Sequence, residues 1–476
     1  MSNINNMSNL IIDFFKTCKY FVYFNLFLNV LILNILYYKL TNNINYTFIR
    51  WLYNIINLNG CILIKIVQWI NSNYEILNIK DGKLIYDIFS PFYEDCNIHN
   101  LNYTKKIFFD EFKENFDDII ELDHSYNIKS GSMAQVYKGT YYNKTVAIKV
   151  IHPDIKYQLI FPIFYIKLYK FFVKNVSFLK KYDTVFIYDS FFNNLKNQTN
   201  MINEFNNMIY FYNTYIDNEY VLIPEPLQAT NNILLMEFID GDKFESLDIS
   251  IFEKQKIISL LNMFIKDCYF FKHYYHSDLH ESNWKVIKYN DFYKLIVYDY
   301  GYISQNNFHQ TFKDLTYYND IVDVNSILDI LYVHCEDIKF TKEEFKNEFY
   351  KYIKEIDLEI REPFSDELTI TLYTFIYKKS IIFKPYLFEM FISTILCKKN
   401  IIKFLNLKKV GTNNYNLLVS SYLDSIYLCN KYNIFNELAF HYKNVCIHDP
   451  NIKKSYVFEN TYFDKLVSSQ YNSIDI

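Results

Sequence analysis

One short run of this chain has residue types and spacing suited to phosphoryl transfer. It reads His276-Ser277-Asp278-Leu279-His280-Glu281-Ser282-Asn283, and Asp299-Tyr300-Gly301 follows it. Moving a phosphoryl group needs one carboxylate facing the incoming nucleophile. It also needs a second carboxylate and an amide oxygen to hold magnesium on the nucleotide phosphates. Asp278 suits the first role. Asn283, five residues on, and Asp299, 21 residues on, suit the second. Either segment alone is a weak signal; both in this order are hard to obtain by chance. His276 reads as structural. His273, His276 and His280 also raise the question of zinc, but H-x2-H-x3-H matches no usual helical zinc motif and no Cys supports it.

Such a set needs elements to hold it and a partner for the phosphates. Ser130-Gly131-Ser132-Met133-Ala134-Gln135-Val136 runs into a strand, and its small residues would let backbone N–H groups approach phosphate oxygens. A tight turn opening a hairpin is the plainer alternative. Val146-Ala147-Ile148-Lys149 alternates as a strand, which puts Ala147 and Lys149 on one face, with Lys149 as the phosphate ligand. A carboxylate must fix that lysine, and Glu204, on an expected helix, is the candidate; an ordinary solvated Glu is the alternative. Leu234 to Gly241 reads as a strand entering a turn, where main-chain groups of Met236, Glu237 and Phe238 could read an adenine edge. Gly131, Ser132, Ala134, Gln135, Val136, Ala147, Lys149, Met236, Glu237 and Phe238 therefore form the expected nucleotide site, with Asp278, Lys149 and Glu204 catalytic and Asn283 and Asp299 on the metal. The implied cofactors are ATP and Mg2+.

Composition bounds the rest. The chain has 476 residues, enough for one or two large cores. With 47 Tyr and 44 Phe it is rich in aromatics, and it has only 7 Gly. Five of those glycines (Gly82, Gly131, Gly139, Gly241 and Gly301) fall in or beside the segments above. A net charge of −4, without a basic stripe, argues against nucleic acid as a partner. The eight Cys are scattered and form no C-x-x-C pair, which fits reduced thiols inside a cell.

Residues 20–38 carry no charge and have the length of a membrane span, although Asn25, Asn29 and Asn34 interrupt them; a buried or interfacial helix is the alternative. The apolar patch at 61–70 is too short to span and is broken by Lys65. Residues 76–125 read as helical. Period-two alternation from Val136 to Val150 predicts two strands with a turn near Tyr142-Asn143. Residues 155–215 read as helical, 220–223 and 233–238 as strands, and the chain after Ser250 as amphipathic helices. The expected organisation is a membrane-associated or transmembrane helical region at 1–75, a helical extension at 76–125, a β-rich lobe at 126–240, and a helical lobe with C-terminal helices at 241–476.

The motifs together resemble the UbiB/ADCK atypical kinases. Ser132-Met133-Ala134-Gln135-Val136 is similar to that family's A-S-x-A-Q-V loop, and Val146 to Pro153, V-A-I-K-V-I-H-P, is similar to its V-A-V-K-V-x-H-P. Glu204 and Asn207 match its E-x-x-N. His276, Asp278, His280 and Asn283 match H-x-D-x-H-x-x-N, in which the second His is a family mark. The resemblance implies an α+β, protein-kinase-like two-lobed fold with a small β-rich N-lobe, a large α-helical C-lobe and a helical N-terminal extension. It implies an ATP- and magnesium-dependent kinase or ATPase at a membrane, a lipid or quinone-like partner, and, on resemblance alone, mitochondria. A nucleotide-binding pseudokinase scaffold and a small-molecule phosphotransferase are the alternatives. Three departures stand out. The family's K-x-G-Q signature, which folds over the active site, is expected here as Lys80-Asp81-Gly82-Lys83. Gly131 stands where the family has Ala, and Leu279 where it has Pro.

Overall fold

A computed structural model describes residues 2–72, 82–93, 95–175, 195–290, 292–305, 324–336, 340–356 and parts of 371–383. These fall into two compact units. Residues up to 254, together with 276–304, form one; 255–275 and the described part of 305–381 belong to the other.

The first unit opens with helices α1 (Ser2–Thr41), α2 (Tyr46–Asn59), α3 (Cys61–Ser72), α4 (Gly82–Phe89) and α5 (Leu101–Phe112). Asn45 caps α2 by accepting from the N–H groups of Thr47 and Phe48. Gly60 ends α2 at φ +86, a left-handed conformation that suits glycine, and any Cβ there would lie 2.3 Å from Gln158 Oε1. That same oxygen accepts from the Cys61 N–H, 2.8 Å away, and so caps α3. Apolar on several sides, α3 is buried at Cys61, Ile62, Leu63 and Ile64.

A helical turn at Phe116–Ile119, α6, leads into a six-stranded sheet. Its strands are β1 (Ile120–Leu122), β2 (Lys129–Ser130), β3 (Ala134–Tyr141), β4 (Lys144–Ile151), β6 (Pro226–Ala229) and β7 (Ile233–Glu237). The order is β1-β3-β4-β7-β6, with β2 beside β3. The β3–β4 hairpin closes through Tyr142 (φ 44) and Asn143 (φ 64), the paired left-handed conformations of a two-residue hairpin turn. One face of this sheet is core: Tyr137, Val146, Ile148, Val150, Ile233 and Leu235 pack with Phe108 and Phe116. Of the helical stretch expected over 155–215, the described residues form α7 (Ile155–Asn175) and α8 (Met201–Tyr215), and 176–194 lie outside the described residues.

After β8 (Tyr274–His276) the chain departs from the all-helical expectation. Trp284–Tyr289 (β9) and Phe292–Val297 (β10) form an antiparallel hairpin, and β10 also pairs in parallel with β5 (Val221–Leu222). The cause is local. Val286 and Ile287, and Leu295 to Val297, favour extended backbone, and Asn290 (φ 52) supplies a left-handed turn residue. This hairpin spaces Asp299 from Asn283.

The second unit is helical where described. It contains most of α9 (Ile251–Phe271), with α10 (Val324–His334) and α11 (Lys342–Glu355). Thr341 and Glu344 form a capping box at the start of α11. Phe345 and Phe349 pack edge-on against Phe375, with ring centroids 5.6 and 5.2 Å away. Most of the helices expected over 365–405 lie outside the described residues.

Candidate active site

The alternation of β3, β4 and β7 decides which side chains can meet a ligand. Val136 pairs with Lys149, Lys149 with Leu234, and Ala147 with Met236. Directly paired residues share a face, so Val136, Ala147, Lys149 and Met236 line one side of the sheet, opposite the core. Gln135 lies on the other side. It is fully buried, its Oε1 accepts from His99 N–H (2.8 Å), and its Nε2 donates to the His99 carbonyl and the Tyr137 hydroxyl. Its expected role at the nucleotide is thus replaced by that of a clamp on the segment before α5. The N–H groups of Glu237 and Phe238 are also committed, to Glu225 O (2.8 Å) and Thr145 O (3.1 Å). Base contact at this strand end is left to other groups.

Lys149 sits between two carboxylates. Its Nζ donates to Glu204 Oε1 at 2.7 Å and to Asp299 Oδ1 at 2.9 Å. Helix α8 delivers Glu204, which is buried, and Asn200 caps that helix by accepting from Ile202 N–H. One turn further, Asn207 Nδ2 donates to the Tyr300 carbonyl at 2.9 Å, tying α8 to the Asp299-Tyr300-Gly301 segment. Tyr300 is fully buried against Phe211, and its hydroxyl donates to Val297 O. Asp299 adopts φ 55, a left-handed conformation that Asp tolerates better than most residues. Gly301 leaves room beside it: a Cβ would approach Asp299 Oδ1 to 3.2 Å and Glu204 Oε2 to 3.5 Å.

The Asp278 loop is held from within. Asn283 Nδ2 donates to Asp278 O at 2.7 Å, and the N–H groups of His280 and Asn283 close successive turns. His276 Nδ1 accepts from Asp278 N–H (3.3 Å), so its Nε2 carries the proton and donates to Tyr298 O (3.1 Å). Burial pushes its pKa down, in keeping with that neutral form. His276 is thus the structural post that its position suggested.

Sequence reasoning missed what faces Asp278. The ammonium of Lys65, from α3, is ion-paired to Asp278 Oδ2. Tyr93 packs edge-on against His280 at 5.2 Å, and the Tyr86 hydroxyl donates to Glu281 at 3.0 Å. Three residues from the helices that precede the sheet therefore bear on this loop. The signal was present as Lys65-Ile66-Val67-Gln68, which has the Lys and Gln of K-x-G-Q at the right offset and Val for Gly. The expected Lys80 and Asp81 lie outside the described residues, and Gly82-Lys83 begin α4. The lysine placed at the site is Lys65.

Behind the phosphate loop lies a second network that sequence reading did not resolve. His152 Nε2 is 3.1 Å from Gly131 O, an acceptor, so it donates. Its Nδ1 then accepts from His99 Nδ1, 3.0 Å away, and His99 Nε2 accepts from Thr104 Oγ1 at 2.9 Å. The Thr104 oxygen in turn takes the Tyr137 proton, 2.8 Å away. Every donor in this network then points the same way with both rings neutral, and the Nδ1–Nδ1 contact excludes charge on both at once. Burial lowers both pKa values, that of His99 to about 3.

The charges form one cluster: the ammonium groups of Lys65 and Lys149 against the carboxylates of Asp278, Asp299 and Glu204. Burial opposes the charge on each lysine, but the neighbouring carboxylates outweigh it and raise both pKa values. Burial likewise opposes ionised Asp278 and Asp299, and Lys65 and Lys149 outweigh it, so both are lowered. Glu204, the most enclosed, is pushed up by burial, an effect that Lys149 partly offsets. Three carboxylates against two ammoniums leave a net negative site, and a polyphosphate could enter it only with added cations. Asn283 and Asp299 supply the hard oxygen donors that Mg2+ prefers, and the Asn283 amide is oriented by its Nδ2 bond.

A lysine on β4, a glutamate from α8 and two carboxylate-bearing loops, set on a mixed sheet-and-helix frame, define a protein-kinase-like α+β fold. Residues 93–329 match the ABC1 atypical kinase-like domain, and the chain belongs to that family, the UbiB/ADCK group. No curated protein matches the chain. Similar solved structures include Rv3197 from Mycobacterium tuberculosis with erythromycin, at 15% identity and a TM-score of 0.41, covering 63% of this chain and 79% of that one. They also include Rio2 kinase from Chaetomium thermophilum with ADP/Mg2+ and phosphoaspartate, at 10% identity and a TM-score of 0.27, covering 63% and 86%. A further structure of the same kinase is 11% identical, with a TM-score of 0.27 over 64% and 88%.

Proposed function

We propose that this protein is an ATP- and magnesium-dependent atypical kinase or ATPase that works at a membrane, with a lipid or quinone-like molecule as its partner. The observation that carries the catalytic part is Lys149, held at 2.7 and 2.9 Å from Glu204 and Asp299. Its ammonium would orient phosphate oxygens, with Glu204 fixing its place. Asn283 and Asp299 would hold Mg2+, whose bound charge would neutralise the phosphates. Asp278 would accept the proton of the attacking hydroxyl or water. Val136, Ala147 and Met236 form the apolar surface on which a base would lie. The lipid or quinone partner, and a mitochondrial setting, rest on family resemblance.

A second reading is favoured by one observation. Lys65 occupies the carboxylate that would act as base, as a nucleotide-gated scaffold would allow. The discriminating experiment is ATP hydrolysis by the purified chain and its Asp278→Asn variant, with and without membranes and a quinone-like lipid. Turnover stimulated by lipid and lowered about 10²-fold or more in the variant supports the enzyme. ATP binding with no turnover under any condition supports the scaffold.

A further inference from the structure

Helix α1 has a stretch, Leu10–Thr41, that is long and apolar enough to cross a membrane, yet it is attached to the body of the unit along most of that length. Lys16 pairs with Asp154 at 2.7 Å, the Tyr157 hydroxyl donates to Asp13, and Tyr165 donates to Asn25. Asn59 donates to the Tyr23 carbonyl, and Tyr37 packs edge-on against Phe48. Its inner stripe, Tyr20, Phe24 and Val30, is buried. At 1.5 Å per residue, 32 residues reach about 48 Å, well beyond the ~30 Å hydrocarbon core. A span here would carry α7 with it, and α7 contains Lys156, Lys167, Lys170 and Lys174.

The outer stripe of α1 is apolar and open to solvent: Phe15, Val22, Leu26, Leu33, Leu36 and Leu40. These recur at helical spacing on the side away from the buried stripe. On α7, Phe164, Leu168, Phe171 and Phe172 are likewise exposed. Phe21, itself half exposed, meets Phe161 edge-on at 5.3 Å and joins the two stripes. Charge identifies the occupant. The two helices hold seven Lys and one acidic residue, Asp13, in a chain whose formal net charge is −4; Lys16 and Lys156 are paired with Asp154 and Asp13, and Lys19, Lys39 and Lys167 are exposed beside the apolar stripes. A second copy fits poorly, because a two-fold interface would set this basic face against itself. Anionic lipid headgroups complement it, and apolar helices with lysines beside them lie in the plane of such surfaces.

We infer that α1 and α7 together form an in-plane docking face for an anionic phospholipid bilayer, so that α1 lies on the membrane and does not cross it. This deepens the membrane part of the proposed function, and its test does not involve nucleotide turnover.

The test is sedimentation of the full chain with phosphatidylcholine vesicles, with and without phosphatidylglycerol. Expected are binding that requires phosphatidylglycerol, release by alkaline carbonate, and a loss of about tenfold or more in Phe164→Glu/Phe171→Glu. Both positions are more than half exposed, and an unchanged unfolding midpoint would verify the fold. If that variant fails to fold, Lys167→Glu, also at an exposed position, should weaken binding to the anionic vesicles alone. Binding unchanged in the variants would overturn the inference. So would resistance to carbonate with the two ends of α1 protected from protease on opposite sides, which marks a span. A wild-type dimer that ignores vesicles and that the double substitution makes monomeric would identify a second copy as the occupant, and overturn it too.

Discussion

Lys65, on the third helix of the chain, is ion-paired through its ammonium to the carboxylate of Asp278, more than two hundred residues away. An oxygen held by an ammonium is a poorer proton acceptor, because the pair lowers its pKa. Lys65→Met should therefore raise ATP turnover by about tenfold, a part of the 10²–10⁴-fold that a positioned base supplies in full. The acidic limb of the pH–rate profile should move to higher pH, since Asp278 would lose the charge that depresses it. Steady-state kinetics across pH test this. A fall in turnover to the level of Asp278→Asn would mean that the pair serves catalysis.

Two glycines beside the site should respond in opposite ways. At Gly131 a Cβ would meet nothing closer than Ala134 O at 3.8 Å, and the backbone is not left-handed. Gly131→Ala should fold normally and gain on the order of 0.4–1 kcal/mol by restricting the unfolded chain. The same change at Gly301 pushes a methyl to 3.2 Å from Asp299 Oδ1, the atom that meets Lys149. Gly301→Ala should lower magnesium-dependent turnover by roughly tenfold, since sub-ångström misplacement of a positioned group is felt strongly. Denaturant melts and turnover assays on both variants compare them.

Burial, with His152 beside it, disfavours a charged His99, which fixes the sign of its pH dependence. The folded pKa of His99, about 3, lies below its ordinary 6.5. The unfolded chain therefore binds the proton more readily, and stability is full above 6.5 and falls as the pH drops from there toward 3. Unfolding midpoints from pH 7 to 5 should fall more steeply for the wild type than for His99→Gln. Equal slopes would show that the relay does not titrate with folding.

Much of the site was legible in the sequence because its elements are local. V-A-I-K alternates as a strand, so the face carrying Ala147 and Lys149 followed from period two. The Asp278–Asn283 loop closes on itself within six residues. Glu204 was found by asking which carboxylate could fix Lys149. What was not legible depends on contacts between distant segments. Lys65 read as a flaw in an apolar stretch, because nothing local reveals which helix will lie over a loop two hundred residues on. Gln135 matched a motif, but the face on which it lies emerges from its pairing with Val150, a core residue. The β9–β10 hairpin was hidden by the helical pattern around it. Residues 20–38 showed their apolar length but not their attachment to α2 and α7.

The central claim is that Asp299 and Asn283 hold a divalent cation on a nucleotide whose phosphates Lys149 orients. The most direct measurement is magnesium-dependent ATP hydrolysis by the purified chain beside its Asp299→Asn variant, with nucleotide binding and the unfolding midpoint followed in parallel. Wild-type turnover should require magnesium, and Asp299→Asn should lose about 10²-fold or more while remaining folded. Hydrolysis by the variant at the wild-type rate, with the same magnesium dependence, would contradict the account.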